Sequence, residues 1–381
     1  MHLAMVSETY PPDVNGVALT VASLRQHLRD DGHRVSLVRP RQSHERGTEG
    51  PTADDELWVG GLPLPRYPGL RFGLPATGRL RRLWQQQRPD AIYVATEGPL
   101  GWSALRAARQ LKIPVTSGLH TRFDDYMARY GLAWLSPLAL AWMRRFHNHA
   151  QATLVPTAEL RRFLSNRGFA RVRELGRAVD CQLFDPRRRD PGLRREWGVG
   201  DHDPVIIHVG RIAAEKNLSL LVQSVRAVQA QQPRARCVMV GDGPERAALQ
   251  RDNPDFVYAG VQRDQALARC FASADLFLFP SHSETFGNVT LEAMASGLPV
   301  LAFDYGAAKD YIESGRHGLT LPLHDAAGFV DQACQLSANP GLRQQLGQAA
   351  RLRVADSDPR ALARQFVQLL GELPKPGEAS A

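Results

Sequence analysis

Cysteine is scarce in this 381-residue chain: four residues, at 181, 237, 270 and 334, with no CxxC pair and no histidine spaced to share a metal. That pattern argues against a disulfide framework or a zinc site and suits reduced, buried thiols in a cytoplasmic protein. Long apolar runs are missing too. The least polar stretch, GLAWLSPLALAWM at 131–143, falls short of the ~20 residues that span a bilayer. The opening MHLAMVSETYPP has no basic n-region and too short an apolar part for an h-region, so no secretory leader is expected. A complete GxGxxG is absent: VGDGPER (240–246) lacks the third glycine and the first loop reads PPDVNG. A dinucleotide-dependent oxidoreductase therefore lacks its fingerprint. Acidic pairs are few and badly placed, DHD (201–203) lying before its strand and Asp54-Asp55 in an irregular loop. No metal site and no cofactor are expected.

What is present is an uneven charge. The chain carries +8 overall, with only four lysines among 47 basic residues. Residues 1–180 hold 25 Lys and Arg against 16 Asp and Glu, or +9, and residues 181–381 hold 22 against 23, or −1. Codon bias accounts for arginine over lysine but not for the asymmetry. An anionic partner of the N-terminal half follows: nucleic acid, lipid head groups or a phosphorylated substrate. The basic residues lack the aromatic interleaving of a nucleic-acid module, so no nucleic acid is expected.

Turn residues and apolar runs repeat a strand, loop, helix rhythm. HLAMVS, HRVSLVRP, DAIYVA, IPVTSG and ATLVPT read as strands separated by helices, and after a polar, Pro- and Gly-punctuated break at 177–204 the rhythm restarts with VIIHVG, ARCVMVG, FVYAG, the strand at 275–280 and PVLAF. Such an order predicts two doubly wound parallel sheets in tandem, with an interdomain linker inside the break. A last helix near 359–372 follows a proline-bearing break, suited to crossing back onto the first domain.

The stretch HSETFGNVTLEAMASGLPVLAFD (282–304) carries the most chemistry. A short helix from Val289 to Ser296 is expected, stopping at Gly297, so the preceding loop lies at the carboxyl edge of a parallel sheet, where open α/β sheets bind ligands. Glu292 in its first turn or so would be tolerated by the macrodipole. Glu284 has no such support and suits hydroxyl recognition or acid/base chemistry. The N–H groups of Phe286, Gly287, Asn288 and Val289 favour an anion in the same space. In VGRIAAEKN (209–217), Arg211 at a strand mouth and Lys216 at a helix start can converge on a diphosphate. A surface charge at a helix start accounts for Lys216 alone better than for the pair.

Together, Glu284-x7-Glu292 with its FGNV insert and SGLPV exit, GRxxxEKN at 210–217, VGDGP at 240–244 and the opening VSETYPPDVNGV resemble the retaining glycosyltransferases of family 4. The likeness runs over nearly the whole chain and is weakest at 41–75 and beyond 340. It implies an α/β protein of GT-B fold, two Rossmann-like doubly wound domains facing a cleft. Residues 1–178 would form the acceptor-side domain, 179–356 the domain binding the nucleotide-sugar donor, and 357–381 the returning helix and tail.

The resemblance also implies roles. Glu292 takes the ribose hydroxyls and Glu284 those of the donor sugar. Arg211 and Lys216 take the diphosphate with backbone N–H groups around Asn15, Gly16 and Phe286–Val289. Tyr258 to Val261 contact the base through main chain, and His120 reaches the sugar. The opening and the TEGPLGWSA loop look most like users of GDP-mannose acting on lipid-linked acceptors. A UDP-sugar enzyme of glycolipid or polysaccharide synthesis is the alternative, and a non-catalytic sugar-nucleotide-binding protein a remote one. Expected partners are the nucleotide sugar and a lipid or glycan acceptor. An anionic membrane is a candidate contact of the basic half, through 66–88 and 126–146, which would place a cytoplasmic protein peripherally on the inner face of the cell membrane.

Overall fold

The computed structural model describes residues 1–13, 15–42, 45, 55–63, 71–120, 136–282 and 284–373. Asp54, the tail, and the parts of 66–88 and 126–146 at 66–70 and 126–135 lie outside them. The chain divides into two units, Met1–Arg177 with Pro359–Ala381, and Ala178–Asp358.

In unit 1 the described strands are β1 (His2–Val6), β2 (Arg34–Pro40), β3 (Glu56–Val59), the short antiparallel pair β4 (Gly61–Pro63) and β5 (Arg71–Gly73), β6 (Ala91–Val94), β7 (Val115–Gly118), β8 (Ala152–Val155) and β9 (Val172–Glu174). Seven of them form a parallel sheet in the order β3-β2-β1-β6-β7-β8-β9. Every residue of β6, β7 and β8 is buried, which is why they read as unbroken apolar runs and not as alternating ones. The helix Gly16–Asp30 starts under Asn15, whose Oδ1 accepts the Ala18 N–H at 2.9 Å. The helix Pro99–Leu111 begins on its proline, which is at ease at a first helical position. The helix Pro359–Gly371 buries Ala363, Phe366 and Leu370 with Leu3, Met5, Val21 and Leu24.

Unit 2 holds β10 (Val205–Val209), β11 (Arg236–Val240), β12 (Val257–Gly260), β13 (Leu276–Phe279), β14 (Val300–Phe303) and β15 (Leu319–Leu321), all parallel in the order β12-β11-β10-β13-β14-β15. Alternate residues of one strand feed opposite layers: Ile207, Phe277 and Phe279 pack with Trp197 and Leu291, and Ile206, Leu276 and Leu278 with Leu221 and Phe329. The order reverses between β10 and β13, and in unit 1 between β1 and β6. Those reversals open crevices at the carboxyl ends of the strands.

The break at 177–204 is less of a linker than its polarity suggested. Phe184, Trp197 and Val199 are core residues. Arg194, in the helix Pro191–Glu196, is 1% exposed. Its guanidinium donates to the carbonyls of Ser273 at 2.8 Å, Gly200 at 2.7 Å and Asp203 at 2.8 Å, and meets Asp275 Oδ2 at 3.0 Å. An arginine with that many acceptors can be buried, so charge alone misreads the segment.

Candidate functional site

At the reversal of unit 2 the loop after β10 is braced by the backbone of the loop after β11. A Cβ on Gly241 would sit 1.9 Å from the Gly210 carbonyl oxygen, and one on Gly243 2.2 Å from that of Ile212. Only glycines allow this approach, which is closed by Gly210 N–H to Val240 O (3.0 Å), Ile212 N–H to Asp242 O (3.0 Å) and Glu245 N–H to Ile212 O (3.1 Å). VGDGP therefore shapes the loop that carries Arg211. Lys216 ends a turn of 3-10 helix, Ala214–Lys216, and Asn217 then takes a left-handed φ of 53° before the helix Leu218–Gln231. Asn217 Nδ2 donates to the Pro280 carbonyl at 3.3 Å, tying this loop to the exit of β13.

Across the reversal, Glu284 Oε1 accepts from Lys216 Nζ and from Ser281 Oγ, the latter at 2.9 Å. Lys216 and Glu284 are each 14% exposed. Arg211 is more open and faces Glu215 Oε1 at 3.6 Å. The two cations expected on one diphosphate are thus each set against a carboxylate.

Gly287, at a φ of 95°, precedes the helix Asn288–Ala295 and has no side chain to cover the first-turn amides. Glu292 lies in the second turn of that helix, beyond the reach of those amides, so the macrodipole does not account for it. Desolvation pushes its carboxyl pKa up to about 7. Its Oε2 is shut off from solvent and has no hydrogen-bond partner among the described residues. A ligand bringing hydroxyl donors would supply what this oxygen lacks. The Phe286 ring is core, edge-on to Tyr311 at 5.9 Å, and Val289 packs partly against the same core. These residues can offer a ligand main chain only. Tyr258, Ala259 and Gly260 of the YAGV segment end edge strand β12. Tyr258 Oη reaches back to the Asn253 carbonyl at 3.2 Å, and exposed Val261 is the first residue past the strand.

At the reversal of unit 1 the protein fills the crevice itself. Glu8, just past β1, accepts the Leu100 N–H at 2.9 Å at the start of the helix Pro99–Leu111. A Cβ on Gly98 would lie 1.9 Å from the Glu8 carboxylate. Desolvation raises that carboxyl to about 7, against the backbone hydrogen bond from Leu100. The helix terminus already holds a carboxyl group of the protein's own. Asn15 is used as a cap, its Nδ2 donating to Thr9 Oγ1 at 2.7 Å, and Gly16 opens the helix. His120, past β7, has both ring nitrogens occupied: Nε2 lies 2.7 Å from Tyr93 Oη and Nδ1 2.6 Å from Arg177 Nη2. Desolvation, with Arg177 and His147 adding to it, holds its pKa well below the ordinary histidine range. Among the described residues no group of three or more His, Cys, Asp or Glu could hold a metal ion.

Residues 14–183 match Glycosyltransferase Family 4 and residues 203–339 match Glycosyl transferases group 1. A GDP-mannose-dependent alpha-mannosyltransferase of Mycolicibacterium smegmatis is 37% identical over 335 residues, covering 86% of this chain and 86% of the relative. This chain belongs to glycosyltransferase family 4. A GDP-mannose-dependent alpha-mannosyltransferase of Mycobacterium tuberculosis is 35% identical, covering 85% of this chain and 84% of its own. An alpha-monoglucosyldiacylglycerol synthase of Streptococcus pneumoniae is 26% identical, covering 90% and 80%. Among solved structures, sucrose-phosphate synthase of Thermosynechococcus elongatus superposes with a TM-score of 0.78 at 20% identity over 97% of this chain and 98% of that one. Anabaena HepE in complex with UDP and glucose gives 0.74 at 17% over 98% and 100%. The two parallel sheets are those of the GT-B fold. The protein is a retaining glycosyltransferase drawing its sugar from a nucleotide sugar.

Several residues that shape this glycosyltransferase's strand edges escaped sequence reading. Ser281 stands one residue before the quoted stretch and carries no charge to mark it. Tyr93 is hidden in the apolar run DAIYVA, and Arg177 in the charged break. Glu8 stands in the opening motif, yet only its contact with a helix 90 residues away, at Leu100, explains it.

Proposed function

We propose that this family 4 enzyme transfers α-mannose from GDP-mannose to a hydroxyl of a lipid-linked acceptor, retaining the anomeric configuration and using no metal. The observation that carries the donor chemistry is the desolvated Glu292 carboxyl, whose Oε2 has no partner among the described residues, on the same strand-loop-helix unit as Glu284, which pairs with Lys216. Glu292 takes the ribose hydroxyls, Glu284 the sugar hydroxyls, and Lys216 and Arg211 the diphosphate, aided by main-chain N–H groups from Phe286 to Val289. The two cations then offset the charge that grows on the departing phosphate, the contribution usually largest in such transfers. No side chain is assigned as a nucleophile. A phosphate oxygen of the leaving group takes the acceptor proton on the face it departs from.

Mannose and GDP rest on the two mycobacterial relatives, and the lipid acceptor on the diacylglycerol named for the third. Unit 1 supplies a suitable surface. In the helix Ser136–His147, Met143, Phe146 and His147 are buried, while Leu138 is 68% and Trp142 47% exposed. Trp142 lies against Trp102, the ring centroids 5.4 Å apart and the planes tilted by 33°, and Arg106 lies over the Trp102 ring. Exposed apolar and aromatic groups beside arginines suit an interfacial contact. The neighbouring segment contributes less, because Leu80 and Trp84 of the helix Thr77–Gln86 are core residues and its exposed positions are Gly78, Arg81, Arg82, Gln85 and Gln86. No described helix is long and apolar enough to cross a membrane.

Nucleotide release measured with GDP-mannose, UDP-glucose, UDP-galactose and UDP-N-acetylglucosamine, each with a diacylglycerol-based and a soluble glycan acceptor, tests the proposal. GDP-mannose with the lipid acceptor should give the fastest turnover. A clear preference for a UDP-sugar would overturn the donor, and efficient transfer to the soluble glycan alone would overturn the acceptor.

A further inference from the structure

The ion pair between Lys216 and Glu284 joins two groups that the proposed function sends to different parts of one ligand. Lys216 serves the phosphates and Glu284 the sugar, yet without a ligand each is the other's partner. Glu284 Oε1 is held from both sides, by Lys216 Nζ and by Ser281 Oγ at 2.9 Å. Lys216 also stands over the Phe279 ring, 5.5 Å from its centroid. Glu284 is confined by its surroundings as well, since a Cβ on Gly306 would come within 3.4 Å of Glu284 Cβ.

We infer that Lys216, Glu284 and Ser281 form a device that discriminates the intact nucleotide sugar from the nucleoside diphosphate left after transfer, an inference that rests on the assignment of Lys216 to phosphate and Glu284 to sugar. A diphosphate and a carboxylate compete for one ammonium group. Removing one partner of a mostly desolvated pair leaves the other charge uncompensated, which costs more than the pair itself contributes. A nucleoside diphosphate without its sugar draws Lys216 away and leaves Glu284, among the described residues, with the Ser281 hydroxyl. The intact donor draws Lys216 away too, but brings sugar hydroxyls that donate to the same carboxylate. The penalty therefore falls on the product and not on the substrate. Lysine suits the task because its compact charge on a flexible stem can exchange partners, whereas arginine's planar fork favours a fixed bidentate pair.

Calorimetric titration with GDP, UDP, GDP-mannose and UDP-glucose, without acceptor, tests the device. Relative to the parent, Glu284→Gln should tighten the nucleoside diphosphate about tenfold, since the competing charge is gone. The same variant should weaken the matching nucleotide sugar relative to its diphosphate, so that the selectivity ratio collapses or inverts. Ser281→Ala, which removes that hydroxyl from Glu284, should weaken the diphosphate alone. Lys216→Met should bind the diphosphate more weakly, and in Lys216→Met/Glu284→Gln the gain from Gln should vanish. If Glu284→Gln fails to tighten the diphosphate while Lys216→Met still weakens it, the device is absent although the phosphate assignment stands. If Lys216→Met changes nothing, the phosphate assignment itself fails, and the device with it.

Discussion

Tyr93 Oη lies 2.7 Å from His120 Nε2, and that contact has a direction set from the other side of the ring. Arg177 approaches Nδ1 at 2.6 Å and can only donate, so Nδ1 carries no proton and the neutral ring donates through Nε2–H to the tyrosine oxygen. Gly118 makes the arrangement possible, since a Cβ there would fall 2.1 Å from Tyr93 Oη. Tyr93 is held in turn by Phe366, edge-on at 5.2 Å.

Nitrogen NMR of the histidine rings should accordingly show His120 as the Nε2–H tautomer, with no protonation across the ordinary range. Arg177→Met should mix the tautomers and raise the His120 pKa towards its ordinary value of 6.5, because a neighbouring positive charge is lost. The sign for stability follows. The folded protein refuses a proton that the unfolded chain accepts, so His120 withdraws stability as pH falls below 6.5, and the variant should lose less on acidification. An Nδ1–H tautomer in the parent protein would refute the assignment.

Glu292 behaves oppositely. Its carboxyl is raised from 4.5 to about 7, so the stability it allows is fully present below pH 4.5 and is lost as pH rises through 7. Hydroxyl donors favour the ionised form, so nucleotide binding near pH 6.5 should release protons. Calorimetry in buffers of different ionisation enthalpy should detect the release, and Glu292→Gln should abolish it. Glu292→Ala should weaken nucleotide binding by about 1–3 kcal/mol, the range for a lost hydrogen bond to a charged group. Proton release unchanged in the Gln variant would remove Glu292 from the nucleotide site.

Arg194 should matter for stability and not for chemistry. Replacing it with methionine removes a donor from the carbonyls of Ser273, Gly200 and Asp203, while Asp275 keeps Arg189 at 2.8 Å and the Val205 N–H at 2.9 Å. A loss of about 1–3 kcal/mol is expected for each carbonyl that stays buried without a donor. Denaturant unfolding should show it as a lower midpoint, with nucleotide affinity preserved under native conditions. A loss below about 1 kcal/mol, the scale of a surface pair, would show that the 177–204 segment is the loosely held linker its polarity suggested.

The exposed face of Ser136–His147 should bind vesicles. Co-sedimentation should rise with the anionic lipid fraction and fall with salt, at about 1 kcal/mol for each basic residue near the surface. Leu138→Ser with Trp142→Ser should weaken binding even to strongly anionic vesicles, and Arg144→Ser with Arg145→Ser should remove its salt dependence. Equal, negligible binding to neutral and anionic vesicles would exclude this face as a membrane contact.

Much of this enzyme was legible before its structure. Strands covered on both faces announce themselves as apolar runs, and glycine and proline mark where they stop, so the two parallel sheets and the loops at their carboxyl edges follow from local pattern alone. Glu284, Glu292, Arg211 and Lys216 stand out because charged residues just beyond buried strands are chemically conspicuous. Residues 304–358 were not legible, since their strand is three residues long and their helices show no strong polar face. Partnership was not legible either. Which cation meets which carboxylate depends on strand order, and only the reversal between β10 and β13 brings the loop carrying Lys216 against the loop carrying Glu284 and Ser281. Helical phase put Glu292 beyond the amides that would have explained it, and burial left one of its oxygens without a partner. Charge and spacing belong to the chain. Desolvation and the identity of a neighbour arise only when segments distant in sequence close around the same few atoms.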